Sequence, residues 1–565
     1  SAAQEPEPDV GDAPEITEAD IPPRPQCVFF EFTETVHYEP GQACRQGAPA
    51  PGVFTDSAAQ LGINFVHNGF PPPDRHSNTD WGLEDFAGVA IADLDHDGLL
   101  DIYFTNGGGS DHLYLSLCQE IGRYYLKTLS GKNTSRVVTA ADLDGDGDRD
   151  LAIVTQSEPV WRKNNGQGVF GAPSPLIAAK TDITYSTFSL ALGDLTGDGL
   201  LDIYLGNHEE YGVGNTPPMP GHEQLLINKG GGVFENQSSW IPKLAIDDLT
   251  FIAALIDLDN DGDLDVYEVN DAVPFEQLGL PNFPGFGEGA GNRLLRNDGM
   301  QNGKLKLVDV TKGSGADVVV PGMGVAVGDY DNDGLVDLYV STILPDPDVL
   351  LHNDGDLKFS DTTVAMNADT MTDEHDVAWG TVFFDADMDG WLDLFVIHGF
   401  KETWVPELRT NRDDQANVLL KNLQGKGFED ISIQAGVAGT AWSRSPAVGD
   451  LNRDGFPDLI VGNTDEAPYV YLNGCDGRPW LTVRLNKSGP NSDGIGARIV
   501  VKSNELTQTR IINPGSHGLY GSSAPEAYFG FPEGTNKVTV TVHWPDKTTS
   551  EWPDTAVKQI MTIRQ

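Results

Sequence analysis

The sequence predicts an all-β fold: a β-propeller of repeated units with cation-binding loops, plus a small C-terminal β domain. Three observations carry that expectation. An aspartate-rich nonapeptide recurs seven times, short alternating apolar stretches flank each copy, and no long helical periodicity runs through the chain.

The nonapeptide reads DLDHDGLLD at 93, DLDGDGDRD at 142, DLTGDGLLD at 194, DLDNDGDLD at 257, DYDNDGLVD at 329, DADMDGWLD at 385 and DLNRDGFPD at 450. Subtracting successive starts gives 49, 52, 63, 72, 56 and 65 residues, intervals that suit a propeller blade. An apolar stretch such as GVAIAD or VAVGD precedes the motif, and a strand such as DIYFTN or DLYVST follows it. A third strand reads LLINKG, LLRNDG, LLHNDG or VLLKN, and several units close with VFEN, LVDVT, FSDTT or FEDIS. Four short strands per unit is the content of one blade, with the aspartate loop between its first two strands.

So many like charges repel one another unless a hard cation gathers their oxygens. Positions 1, 3 and 5 supply side chains, glycine at 6 allows the bend, position 7 offers a carbonyl and position 9 supplies the last ligand. The predicted ligands are Asp93, Asp95, Asp97, Asp101; Asp142, Asp144, Asp146, Asp150; and Asp194, Thr196, Asp198, Asp202. They continue with Asp257, Asp259, Asp261, Asp265; Asp329, Asp331, Asp333, Asp337; Asp385, Asp387, Asp389, Asp393; and Asp450, Asn452, Asp454, Asp458. Six or more oxygens suit calcium better than magnesium, which dehydrates reluctantly. About seven calcium sites are therefore expected, with those holding Thr196 and Asn452 weakest because each lacks one negative charge. An EF-hand is excluded, because its twelfth residue should be glutamate on a helix. Here position 12 is Phe104, Ile153, Leu205, Val340, Val396 and Val461, with glutamate only at Glu268.

These units resemble FG-GAP/VCBS repeats, the calcium-loop blades of the integrin alpha-chain propeller. Seven copies imply, by that resemblance, a seven-bladed ring. After the seventh motif no closing FxD strand follows, but VFTDSAAQLGI at 53–63 resembles FEDISIQAGV at 428 and is expected to complete the last blade. Beyond residue 478, the stretches NSDGIGARIVV, GLYGSSAPEAYFGF and VTVHWPD resemble the ASPIC/UnbV domain. Together the two parts resemble the bacterial cartilage-acidic-protein-like family. Two positions depart from that pattern: Tyr528 stands where the family usually has histidine, and Pro532 where it tends to have glycine.

The expected domains are an acidic, proline-rich arm over 1–50, the propeller over 51–478 and the C-terminal domain over 479–565. The arm reads as a solvated tail, or as a contact for self-assembly. Of the cysteines, Cys27 and Cys44 are close enough to staple the arm, leaving Cys118 and Cys475 as a long-range pair; four free buried thiols are the alternative. The start at Ser1 rather than Met suggests a processed, exported protein, extracellular, cell-surface or periplasmic.

A formal charge of −49 argues against nucleic acid as a partner. No apolar run is long enough for a helical membrane span. Long connections after the second strands, at 207–224, 270–292 and 398–417, and the segments entering the blades bring aromatic and basic side chains to one face. Candidate ligand-binding residues there are Trp81, His208, Tyr211, His222, Phe283, Phe286, His375, Trp379, Trp404 and Arg409. Neither a catalytic triad nor a GxSxG elbow is evident. The expectation is an extracellular binding, adhesion or surface-assembly module for a protein or carbohydrate partner. The alternative is an enzyme acting on a small molecule or polysaccharide at that face.

Overall fold

Every aspartate loop joins two antiparallel strands, and a computed structural model shows what those strands build. It describes residues 35–45, 47–68, 87–117, 122–129, 134–156, 158–177, 184–211, 219–243, 249–272, 290–343, 346–371, 376–399, 415–513 and 521–565. The protein is all-β, and the repeats form a propeller. Seven sheets each carry one aspartate loop. Their first strands are Val89–Ala92, Ser135–Ala141, Thr184–Gly193, Thr250–Ile256, Gly322–Gly328, Ala378–Phe384 and Ser443–Gly449. These touch one another in cyclic order, and the last meets the first.

Burial explains the residue choice in each strand. In the fifth sheet the first two strands, Gly322–Gly328 and Asp337–Thr342, are almost wholly buried between their neighbours, so both faces are apolar. Its third strand, Val349–Gly355, begins buried and ends exposed, and its fourth, Lys358–Asp361, buries only Phe359. A single helical turn follows, Thr363–Met366, closed by Asn367 in the left-handed region at φ 55°. The sixth sheet repeats this with Ser432–Ala435 and Gly436 at φ 76°.

The seventh sheet takes its outer strand from the other end of the chain. Thr55–Asp56 pairs antiparallel with Tyr471–Leu472 and runs into the same helical turn, Ala58–Leu61, capped by Gly62 at φ 84°. That pairing covers an otherwise open sheet edge.

The C-terminal domain has two four-stranded sheets. One orders Thr507–Ile511, Arg498–Lys502, Lys537–His543 and Thr549–Ala556. The other orders Val36–Pro40, Gln559–Arg564, Trp480–Asn486 and Glu526–Gly530. The segment expected to be an arm therefore supplies an edge strand here, with Val36 opposite Ile563.

The expected cysteine pairing is corrected. Cys44 is bonded to Cys475, with Cα atoms 5.7 Å apart, so neither the Cys27–Cys44 staple nor a Cys118–Cys475 pair exists. Nearness in sequence misleads because the chain returns to residue 44 only after the whole ring has been laid down. Cys27 and Cys118 lie outside the described residues.

Candidate metal centres

The seven loops share one hydrogen-bond scheme. The glycine at position 6 has φ between 80° and 95° and donates its N–H to an oxygen of the position-1 aspartate, as Gly98 does to Asp93 and Gly334 to Asp329. The N–H at position 7 donates to the position-5 carboxylate, as in Leu99 to Asp97 at 2.9 Å and Trp391 to Asp389 at 3.0 Å. Position 4 is also left-handed, with His96 at φ 59° and Met388 at φ 55°. This winding turns the carboxylates inward.

The aspartate at position 9 is buried in every copy and ties the loop to two strands. Asp337 accepts from Tyr330 N–H at 3.2 Å and from Asn353 N–H at 2.8 Å. The third-strand asparagine then clamps neighbouring sheets. Asn164, Asn228, Asn297, Asn353, Asn422 and Asn473 each donate Nδ2–H to the carbonyl of position 2 in the preceding loop. Each also donates to a carbonyl of its own loop. Only the first sheet lacks this residue: Ser116 stands there, its Oγ buried without a hydrogen-bond partner.

The carboxylates crowd one another. Ligand oxygens of Asp93, Asp95 and Asp101 lie within 4.8 Å, as do those of Asp142, Asp144 and Asp146, of Asp257, Asp259 and Asp261, and of Asp329, Asp331 and Asp337. Burial, and then the Asp95 and Asp93 charges, holds Asp101 well above the usual carboxylate range. Burial likewise pushes Asp202 and Asp265 up to about 8 and Asp329 to about 7. Four oxygens at positions 3 and 5 are buried without any hydrogen-bond partner: Asp144 Oδ1, Thr196 Oγ1, Asp387 Oδ1 and Asp454 Oδ2. Oxygen donors, mutual repulsion and unpartnered lone pairs fit a hard divalent cation. Glu268, the one glutamate at position 12, is not among them: it accepts from Tyr204 and pairs with Arg293.

The C-terminal domain covers this same face. Arg149, from the second loop, makes a bidentate pair with Asp493. Arg484 donates to Gly98 O at 3.1 Å, Lys547 lies 3.0 Å from Asp263, and Arg510 approaches Asp385 at 3.9 Å. Tyr528, at the position where histidine is usual, accepts from Asp450 N–H at 3.0 Å and donates to Glu526 at 2.8 Å. Gly521–Ser522 pairs in parallel with Val89–Ala90, and Ser523 and Ala524 bond to Val448. The strap thus fills the joint between the seventh and first sheets, where the asparagine clamp is missing.

Among the described candidate residues, His208 and Trp379 both meet one ring, that of Phe251, at centroid distances of 5.7 and 6.3 Å. Trp379 is 1% exposed, donates to Gly399 O and lies under Arg444 at 4.2 Å. His208 is buried against Phe188 and Phe251, with Nε2 3.3 Å from Asp271. His222 is exposed. Tyr211 ends the strand Asp202–Tyr211, while Trp81, Phe283, Phe286, His375, Trp404 and Arg409 lie outside the described residues.

The family models agree with this architecture. An FG-GAP-like repeat matches residues 93–153 and 142–205, an FG-GAP repeat matches 442–474, and an ASPIC and UnbV domain matches 487–565. The protein is thus an FG-GAP-repeat propeller with a C-terminal ASPIC/UnbV domain. It is homologous to cartilage acidic protein 1. The Mus musculus protein is 25% identical over 85% of this chain and 73% of its own length, and the Homo sapiens protein 24% identical over 85% and 71%. A solved lectin from Agrocybe aegerita aligns over 66% of this chain and 84% of its own at 18% identity, with a TM-score of 0.36.

Proposed function

We propose that this protein is an exported, calcium-binding propeller that serves as an extracellular binding, adhesion or surface-assembly module. The observation that carries the calcium reading is the repeated loop in which crowded carboxylates leave buried oxygens without a partner. Bound calcium supplies charge neutralisation, and the loop residues then do the rest: position 1 holds the turn and position 9 ties it to the second and third strands. The Cys44–Cys475 disulfide supports an oxidising compartment. Because the C-terminal domain sits on the aspartate-loop face, a protein or carbohydrate partner is assigned to the opposite face, where the long connections leave the second strands.

The test is a calcium titration of chelated protein, following thermal unfolding, ion stoichiometry and particle size. A steep rise in melting temperature with about seven ions per monomer is expected. Ordered association on adding calcium would favour surface assembly over partner binding, and no response in any readout would overturn the calcium reading.

A further inference from the structure

We propose that the side chain just before the third-strand asparagine grades the calcium affinity of the loops, and that Lys163 and Lys421 make the second and sixth loops the weakest. This rests on the calcium reading above. Strand pairing fixes the register. Arg162 opposes Leu151, Leu420 opposes Leu394, Ile203 opposes Leu226 and Leu459 opposes Tyr471, so Lys163, Lys421, Ile227 and Leu472 are equivalent positions.

At that position the third and seventh sheets place Ile227 and Leu472, both buried, and the first sheet places the buried Leu115. The second and sixth place an ammonium group on the loop itself. Lys163 Nζ pairs with Asp144 and lies 2.8 Å from Asp146. Lys421 Nζ pairs with Asp387 and lies 3.9 Å from Asp389. These are the position-3 and position-5 carboxylates, the same groups that would hold the ion. In the fourth sheet the equivalent Arg296 turns away to Asp298 at 2.7 Å, and in the fifth His352 offers a ring nitrogen rather than a fixed charge.

A tethered ammonium is a compact cation that already offsets one of the loop's four ligand-aspartate charges. Calcium entering such a loop breaks that ion pair and leaves a positive charge close to the metal. The lysine side chains are 51% and 30% exposed, so both can swing into water and the sites stay usable. Charge counting alone names the third and seventh loops weakest, through Thr196 and Asn452. The tethered cations reverse that order.

The experiment is calorimetric calcium titration of the full chain, wild type against Lys163→Met, Lys421→Met and the double variant, with Lys163→Arg and Lys421→Arg as controls. The wild type should show two ions binding roughly tenfold or more weaker than the rest. The double methionine variant should move both into the tight class while the arginine variants keep them weak. In chelator the double variant should melt below wild type, because its loops lose their internal counter-charge. A wild type with uniform sites and unchanged methionine variants overturns this proposal and leaves the calcium reading standing. Absence of calcium binding in every protein overturns both.

Discussion

Asn353 reaches back ninety-five residues to donate its Nδ2–H to the carbonyl of Leu258 at 2.9 Å. The same nitrogen donates to Val336 O at 3.0 Å, so one side-chain amide joins the fourth and fifth aspartate loops. All three residues are buried, with Asn353 fully so.

Replacing that amide therefore leaves two buried carbonyls short of a donor. Asn353→Ala should cost about 2–3 kcal/mol. Asn353→Asp should not rescue it, since a carboxylate offers no N–H and faces two oxygens. Urea unfolding reads both.

The first sheet invites the reverse change. Ser116 occupies the clamp position with a buried, unpartnered hydroxyl. Ser116→Asn should link this sheet to the seventh loop through Leu451 O and raise stability by about 1 kcal/mol. A lower urea midpoint would show that the joint is already filled by the strap at Gly521–Ser522.

Acid stability should show two opposed slopes meeting at Thr370. Its hydroxyl donates to Asp348 and lies 2.9 Å from His398 Nε2. Burial raises Asp348 from 3.8 to about 6, so the folded chain binds a proton there before the unfolded chain does, and stability falls as pH rises from 3.8 to 6. Burial lowers His398 from 6.5 to about 4, so the unfolded chain is protonated first, and stability falls as pH drops from 6.5 to 4. Each effect amounts to about 3 kcal/mol at its limit. Relative to wild type, Asp348→Asn should lose stability on acidification between pH 6 and 4, and His398→Gln should gain it. Equal slopes in both variants would contradict the assignment.

Removing the Cys44–Cys475 bond by a double alanine substitution should cost about 2–5 kcal/mol, because the bridge closes a loop of 431 residues. Reduction should lower the unfolding midpoint of the wild type by more than that of the variant.

Local chemistry made much of this molecule legible. The aspartate spacing announces the loops, period-two apolar runs announce the strands, and the likeness between VFTDSAAQLGI and FEDISIQAGV points to an outer strand far from its sheet. The clamp asparagine was also visible, as the recurring N of LLINKG, LLRNDG and LLHNDG, but only register reveals its partner in the preceding loop. Trp379 could not be told from a loop aromatic, because its place under Arg444 depends on the next sheet. The strand Val36–Pro40 was hidden for a similar reason: its partner lies more than five hundred residues away.

One arrangement bears on how the chain matures. Thr55–Asp56 waits for Tyr471–Leu472, Cys44 waits for Cys475, and the joint between the seventh and first sheets waits for Gly521–Ser522. A ribosome delivers the early partner of each pair long before the late one. The ring therefore cannot lock until nearly the whole chain has been made, and both of its ends are fixed in one late step.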